Sequence, residues 1–144
     1  MIADEIISLL DLKPHPEGGY FKEVFRDHET YGDGNGERAF STAIYFLLKA
    51  GQVSRWHAVD AVEIWHHYQG APLKLDIAAP SGPLGTQILG SELGTGARPQ
   101  IVVPRGCWQR ARSLGDFSLM GCTVAPGFEF SGFTLAPEGF ETGV

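Results

Sequence analysis

The segment SRWHAVDAVEIWHHYQG, residues 54–70, contains three of the five histidines of this 144-residue chain. His57, His66 and His67 lie around the acid Glu63 in a stretch that otherwise has the composition of β-strands. The residues AVDA, 58–61, are expected to form a turn between two strand-like runs. A histidine and a carboxylate on adjacent strands of such a hairpin can face the same side. The segment therefore predicts a hairpin that carries an acid/base site or a metal site.

Period-two alternation extends outward from this hairpin. Phe40–Leu48 and Leu73–Ile77 alternate apolar residues in the way that a sheet with a buried face requires. Gly, Pro, Asp and Asn separate the short runs, which indicates a sandwich or barrel. The further predicted strands are Gly19–Phe25, Val53–Trp56, Val62–Tyr68, Thr86–Leu89, Gln100–Val103, Trp108–Ala111, Leu119–Ala125 and Phe130–Leu135.

The N-terminal segment has a different period. Ile2, Ile6 and Leu9 recur at helical spacing, so we predict one amphipathic helix over about residues 2–12, ended by Pro14. Acids occupy the position where a signal peptide carries positive charge, and no apolar run is long enough to span a membrane. We therefore expect a soluble, cytoplasmic protein.

Composition excludes several classes of partner. The net charge is −6 and the basic residues are scattered, which argues against nucleic acid and membrane surfaces as partners. The 43% hydrophobic content suits one globular domain, residues 1–144. Cys107 and Cys122 are too few for a disulfide framework, and we expect both to be reduced and buried.

Two motifs resemble those of the cupin barrels. His57, Glu63 and Gly70 match the first His, the Glu and the Gly of the pattern H-x-H-x3-E-x6-G, and Val59 replaces its second His. In the second pattern, P-x-G-x2-H, the sequence PRGCWQ at residues 104–109 keeps Pro and Gly but has Gln109 in place of the final His. Two of the four usual metal ligands are thus replaced.

The wider sequence resembles the small single-domain cupins of unassigned function, cupin family five. Five segments carry this resemblance over residues 3–136: HPEGGYF, STAIYFLL, WHAVDAVEIWHHYQG, VPRGCWQRAR and GCTVAPGFEFSGF. It implies a mainly β fold, the double-stranded β-helix or jelly-roll barrel, over about residues 19–136. It also implies a homodimer and a small-molecule pocket inside the barrel, but no particular reaction.

A metal site needs three or more donors, and the replaced ligands leave few. His57, Glu63 and Gln109 supply two good donors and one weak one, and His66 or His67 would have to complete the set. Strand parity places His67 on the face of Glu63 and Trp65, whereas the pattern EIWHxY of the resembling family centres on His66. The sequence assigns no cofactor, and a divalent metal is one of the options.

An acid/base site without metal is the first functional hypothesis. It resembles the cupin sugar-nucleotide epimerases: His57 or His66 would be the base, Glu63 or Asp60 would orient it, and Tyr45 or Tyr68 would be the acid. The expected catalytic residues are His57, Glu63, His66 and Tyr68. The expected ligand pocket adds Tyr45, Trp56, Trp65, Trp108 and Gln109.

Other interpretations stay open. The protein is alternatively a non-catalytic binder of a sugar-like molecule, or a metalloenzyme with an altered ligand set. Glu63 alternatively forms a structural ion pair with Arg55, Arg110 or Arg112. Glu17 and Tyr20 are expected in a turn and first strand that complete the dimer or cap the pocket.

Overall fold

The structure is a computed structural model that describes residues 1–34 and 36–140. Helix α1, Ala3–Leu10, buries Ile6 on the outer face of a sheet. The helix ends at Leu10 because Asp11 adopts left-handed backbone angles, with φ 55°, and its N–H bonds back to Ile7 and Ser8 carbonyls. Asp11, rather than Pro14, therefore ends the helix, which is shorter than the predicted range of about residues 2–12. No helix among the described residues is both long and apolar enough to cross a membrane.

Thirteen strands follow in the described part of the chain. They overlap all the predicted runs, but the runs predicted from Gly19 and Phe40 begin only at Tyr20 and Thr42. The predicted strand at Phe130 begins only at Phe133, because Phe130–Gly132 forms a short 3-10 turn. The strands are β1 Lys13–Pro14, β2 Tyr20–Arg26, β3 Thr30–Gly32, β4 Glu37–Ala39, β5 Thr42–Lys49, β6 Val53–Val59, β7 Val62–Gly70, β8 Leu73–Ala78, β9 Leu84–Leu89, β10 Gln100–Val103, β11 Trp108–Ser113, β12 Phe117–Ala125 and β13 Phe133–Leu135.

Two facing sheets form the barrel. The six-stranded sheet has the order β1-β2-β5-β12-β7-β10, and the five-stranded sheet has the order β13-β6-β11-β8-β9. β12 pairs with β5 and β7, and β11 pairs with β6, all antiparallel and between strands distant in sequence, as in a jelly roll. The consecutive strands β6 and β7 lie in different sheets, so the prediction of a hairpin over residues 54–70 was wrong. The predicted fold class, a mainly β jelly-roll barrel with a short N-terminal helix, is confirmed.

The core lies between the two sheets. Phe46, Leu48 and Trp65 of the six-stranded sheet pack against Leu73 and Leu75 of the five-stranded sheet, all almost fully buried. Alternate residues of each strand supply this core, as the period-two pattern predicts. A second cluster, in which Ile6 and Leu12 contact Leu47 and Leu119, holds α1 on the outer face of the six-stranded sheet.

A β-bulge in β6 breaks the alternation beside the candidate site. Gln109 of β11 pairs with His57, but Ala111 pairs with Ser54, so Arg55 and Trp56 together oppose one residue of β11. The extra residue lets Ser54 and His57, three positions apart, both become buried. Bulges commonly redirect side chains in this way beside functional sites.

The turn HPEGG, residues 15–19, docks on β6 beside this bulge. The Glu17 carbonyl accepts a hydrogen bond from the Arg55 N–H at 2.8 Å, and Glu17 is buried. Gly18 has φ +109°, and a Cβ at this position would collide with the carbonyl oxygen of Val53. Glycine is therefore required here both by backbone conformation and by close approach.

We expect Gly18→Ala to destabilise the fold more than Gly51→Ala. Both glycines have positive φ, but nothing lies within 4 Å of a Cβ at Gly51. The control should cost about 1 kcal/mol of unfolding free energy, and Gly18→Ala about 2–3 kcal/mol. Urea unfolding of both variants measures the difference, and equal losses would show that the turn does not dock as described.

Candidate functional site

A buried ion pair between Glu17 and His57 forms the centre of the site. The Glu17 Oε2 lies 3.0 Å from the His57 Nε2, and the two side chains are 7% and 2% exposed. The Ser54 hydroxyl donates a further hydrogen bond to the same carboxylate oxygen. The turn HPEGG supplies the acid, and the bulged strand β6 supplies the histidine and the serine.

Both ring nitrogens of His57 are engaged. The Nδ1–H donates to the Arg55 carbonyl at 2.6 Å, and the Nε2–H donates to Glu17. Burial by itself would lower the pKa of His57, but the Glu17 charge and hydrogen bond outweigh it and raise the pKa to about 9. His57 is therefore an imidazolium at neutral pH.

His15 lies on the other side of Glu17 and is neutral. Its Nδ1 accepts the Glu17 backbone N–H at 3.0 Å, so this nitrogen carries no proton. Burial lowers the pKa of His15, and the nearby His57 charge lowers it further, whereas Glu17 opposes both effects. The approach of the Glu17 Oε1 to the same nitrogen, at 3.3 Å, is thus not an ion pair.

Glu63 is the second buried carboxyl, and its orientation is fixed by two neighbours. The Trp65 indole N–H donates to the Gln109 Oε1 at 2.7 Å, and the Gln109 Nε2 donates to the Glu63 Oε1 at 2.8 Å. Burial raises the pKa of Glu63 to about 7, with His57 opposing the shift and the Glu17 charge adding to it. Glu63 is thus a carboxyl that can both give and take a proton near neutral pH.

The two cysteines behave as expected. Both are free and buried. Cys107 belongs to the core, and Cys122 hydrogen bonds to Glu63. Burial raises the pKa of the Cys122 thiol well above its usual value, so it is not an activated nucleophile.

Aromatic rings separate the charged cluster from solvent. The His15 ring contacts Phe21 edge-on with centroids 4.5 Å apart, and Phe130 and Phe133 lie at 6.2 and 6.1 Å. Phe133 also lies against His57 at 5.5 Å. Phe130, at 53% exposure, is the outermost ring of this wall.

Of the predicted site residues, four meet in the barrel interior: His57, Glu63, Gln109 and Trp65. The other predicted aromatic and histidine residues do not. His66 bonds the Thr123 hydroxyl and stacks near Tyr68, and Tyr68 in turn meets Tyr45 beside α1. Parity places them outside the barrel, so the prediction of Tyr45, Tyr68 or His66 as acid/base partners of His57 was wrong.

Trp56 and Trp108 also lie outside the predicted pocket. Trp56 is covered by the guanidinium of Arg110, 4.6 Å from its ring, and Trp108 packs against Phe140. The bulge turns Trp56 outward when it turns His57 inward. The prediction that these two tryptophans line the barrel pocket was therefore wrong.

The donors do not fit a divalent metal. His67 caps the Ala71 carbonyl with its Nε2 at 3.1 Å and lies four residues, roughly 13 Å, along β7 from Glu63. His57 has no free lone pair, and Gln109 turns its NH2 toward Glu63. Within residues 1–34 and 36–140, no three His, Cys, Asp or Glu side chains are placed to hold a metal ion.

The suggested arginine partners of Glu63 were also wrong. Arg110 pairs with Asp76 at 2.9 Å, and Arg55 donates to the Ala136 carbonyl. Sequence reasoning also missed that Glu17 is the ion-pair partner of His57. Glu17 enters the barrel, whereas it was expected in a turn that completes the dimer or caps the pocket. Its one signal was the acid between Pro16 and two glycines in HPEGG, a short turn able to place a side chain inside.

Replacing Glu17 by Gln should lower the pKa of His57 from about 9 to below its usual 6.5, because burial then dominates. NMR titration of the His57 ring nitrogens measures the change. Glu23→Gln removes an exposed carboxylate and serves as the control. An unchanged His57 titration in Glu17→Gln would refute the ion pair.

Glu63→Gln should remove a pH dependence of stability. The folded-state pKa of Glu63, about 7, lies above the usual 4.5, so folding binds a proton between these values. Wild-type stability is therefore lost as pH rises from about 4.5 through 7, and we expect the variant to gain about 2–3 kcal/mol relative to wild type from pH 5 to pH 8. Urea unfolding at both pH values tests this, and a pH-independent difference would contradict the raised pKa.

Comparison with known proteins agrees with this fold. The chain is 39% identical to protein SO0799 from Shewanella oneidensis, whose crystal structure superposes with a TM-score of 0.88 over 94% of this chain and 85% of the other. A hypothetical protein from Leishmania major gives a TM-score of 0.87 at 28% identity, over 94% and 88%. Oxalate decarboxylase from Bacillus subtilis, at 13% identity and a TM-score of 0.63 over 88% and 30%, shows the fold alone.

The sequence comparisons identify the family. The chain is 30% identical to the uncharacterized protein YML079W of Saccharomyces cerevisiae over 91% of this chain and 73% of that protein. Residues 4–136 match the family described as Cupin superfamily (DUF985). The chain that encloses the Glu17–His57 pair therefore belongs to this cupin family.

Proposed function

We propose that the protein is an isomerase that moves a proton on a small carbohydrate-like substrate, with Glu63 as the acid/base group. The observation that supports this most is the buried Glu63 carboxyl: burial raises its pKa to about 7, and the charge of His57, protonated at neutral pH, acts on it. Burial of a carboxyl group that must be charged costs free energy, and the raised pKa of Glu63 reflects that cost. Groups with this kind of perturbation concentrate at catalytic sites.

The proposed step is a proton transfer at a carbon adjacent to a carbonyl. The Glu63 carboxylate takes the proton from the hydroxyl-bearing carbon, the C–H electron pair forms a C=C bond, the C=O π pair moves to oxygen, and an enediolate forms. The hydroxyl proton of the enediolate then moves to the former carbonyl oxygen. Protonated Glu63 returns its proton to the former carbonyl carbon, the C=C pair forms that C–H bond, and the deprotonated oxygen becomes the new carbonyl. The positive charge of His57 stabilises the negative charge that develops, and Glu17 acts as a positioning residue that keeps His57 protonated.

Solvent exchange tests this function whatever product the reaction forms. The protein is incubated in D2O with aldoses, ketoses, hexuronic acids and sugar nucleotides, and proton NMR follows loss of carbon-bound hydrogen. We expect exchange into at least one sugar, reduced 100-fold or more, about 3 kcal/mol, in Glu63→Gln. Glu92→Gln, at an exposed position just before the 3-10 turn Leu93–Thr95, is the matched control.

The alternative is a non-catalytic binder of a sugar-like molecule. The aromatic wall that Phe21 and Phe130 form over His15 favours this alternative, because it separates the charged cluster from solvent. Under this alternative a sugar binds equally to wild type and to Glu63→Gln, and neither protein catalyses exchange. Exchange in wild type that survives in Glu63→Gln would instead exclude Glu63 as the acid/base group.

A further inference from the structure

A cleft of about 440 Å³ lies at the edge of the barrel, outside the wall of the buried site. Phe21, Ile44 and Phe130 form its apolar part, and Lys13 and Lys22 are on its rim. Asp11, Glu23 and Arg26 complete the lining.

The cleft is one layer of side chains away from both buried carboxyls. Phe21 and Phe130 contact His15, which contacts Glu17 on its other side. Ile44 is the strand partner of Cys122, and Cys122 hydrogen bonds to Glu63. A molecule held in the cleft is therefore beside the site assigned above, with Phe130 as its most exposed barrier.

The charges around the cleft are not evenly balanced. The Arg26 guanidinium is compensated: it meets Glu23 at 2.6 Å, Glu129 at 3.2 Å and the Phe128 carbonyl at 2.9 Å. By contrast, the two lysines share one carboxylate, Asp11, at 3.0 Å from Lys13 and 3.9 Å from Lys22. The lysine end of the cleft thus has an excess of positive charge in a chain whose net charge is −6.

We infer that this cleft binds a small carboxylic acid, with its carboxylate at Lys13 and Lys22 and its carbon skeleton on Phe21, Ile44 and Phe130. This inference rests on the proposed function in identifying the acid as the substrate, which is then a sugar acid rather than a neutral sugar. The carboxylate stays at the rim, and the skeleton lies against Phe130, which separates the cleft from the buried cluster. Exposed lysines bind anions weakly, so we expect dissociation constants in the millimolar range.

Two pairs of probes separate charge from shape. Glucuronate is compared with glucuronamide, and benzoate with benzamide, because each amide matches its acid except for the charge. NMR follows the methyl signals of Ile44 during titration of wild type. We expect at least one acid to bind about fivefold or more tightly than its amide and to weaken with added salt.

The variant Lys13→Gln/Lys22→Gln should abolish the preference for the acid. Lys74→Gln, on strand β8 of the five-stranded sheet, is the control and should keep it. Equal binding of acid and amide, absence of binding by both acids, or an unchanged preference in the double variant would each overturn the inference.

Repeating the titration with Glu63→Gln distinguishes this inference from the proposed function. If an acid binds to both proteins and no sugar exchanges hydrogen in wild type, the cleft is a binding site and the proposed reaction fails. If neutral sugars exchange hydrogen and no acid binds, the reaction stands and the assignment of the cleft fails.

Discussion

The ion pair between Glu17 and His57 is the constraint on which the interior of this barrel depends. Removing one partner of a buried ion pair costs roughly 3–5 kcal/mol, a large part of the net stability of a domain, so each charge depends on the other. The barrel provides the pair with further hydrogen bonds: Ser54 donates to the carboxylate, and the Arg55 carbonyl accepts from the ring. These contacts explain why β6 contains a bulge and why the turn HPEGG, residues 15–19, enters the barrel.

The contacts next to this pair explain what Gln109 does in place of the motif histidine. An indole N–H can only donate, so Trp65 requires the amide oxygen of Gln109 and turns its NH2 toward Glu63. Gln109 thus binds a carboxyl oxygen instead of a cation. Together with His57, whose two ring nitrogens are both hydrogen bonded, this puts a hydrogen-bonded cluster of buried titratable groups where the resembling cupin motifs carry metal ligands.

The fold could be predicted from the sequence because strand alternation and family motifs are both patterns of residues that lie close together in the chain. Period two also placed Glu63 and Trp65 on one face and Tyr68 on the other, but the prediction that Tyr68 and Tyr45 serve His57 ignored that parity. Trp56 was misplaced for a different reason: a bulge depends on the partner strand and has no local signal. Glu17 is 40 residues from His57 in sequence, and only the assembled sheets bring them together.

The charge states of the cluster restrict how a substrate can approach it. Between pH 7 and 9 the interior holds ionised Glu17 and Glu63 with one imidazolium, His57, and so carries a net negative charge. A further negative charge next to Glu63, in addition to Glu17, would raise the pKa of Glu63 and keep it protonated, so that it could not act as a base. An acidic substrate is therefore compatible with this chemistry only if its carboxylate stays at a distance from Glu63. The lysines lie outside the wall formed by His15 and Phe130, which provides that separation.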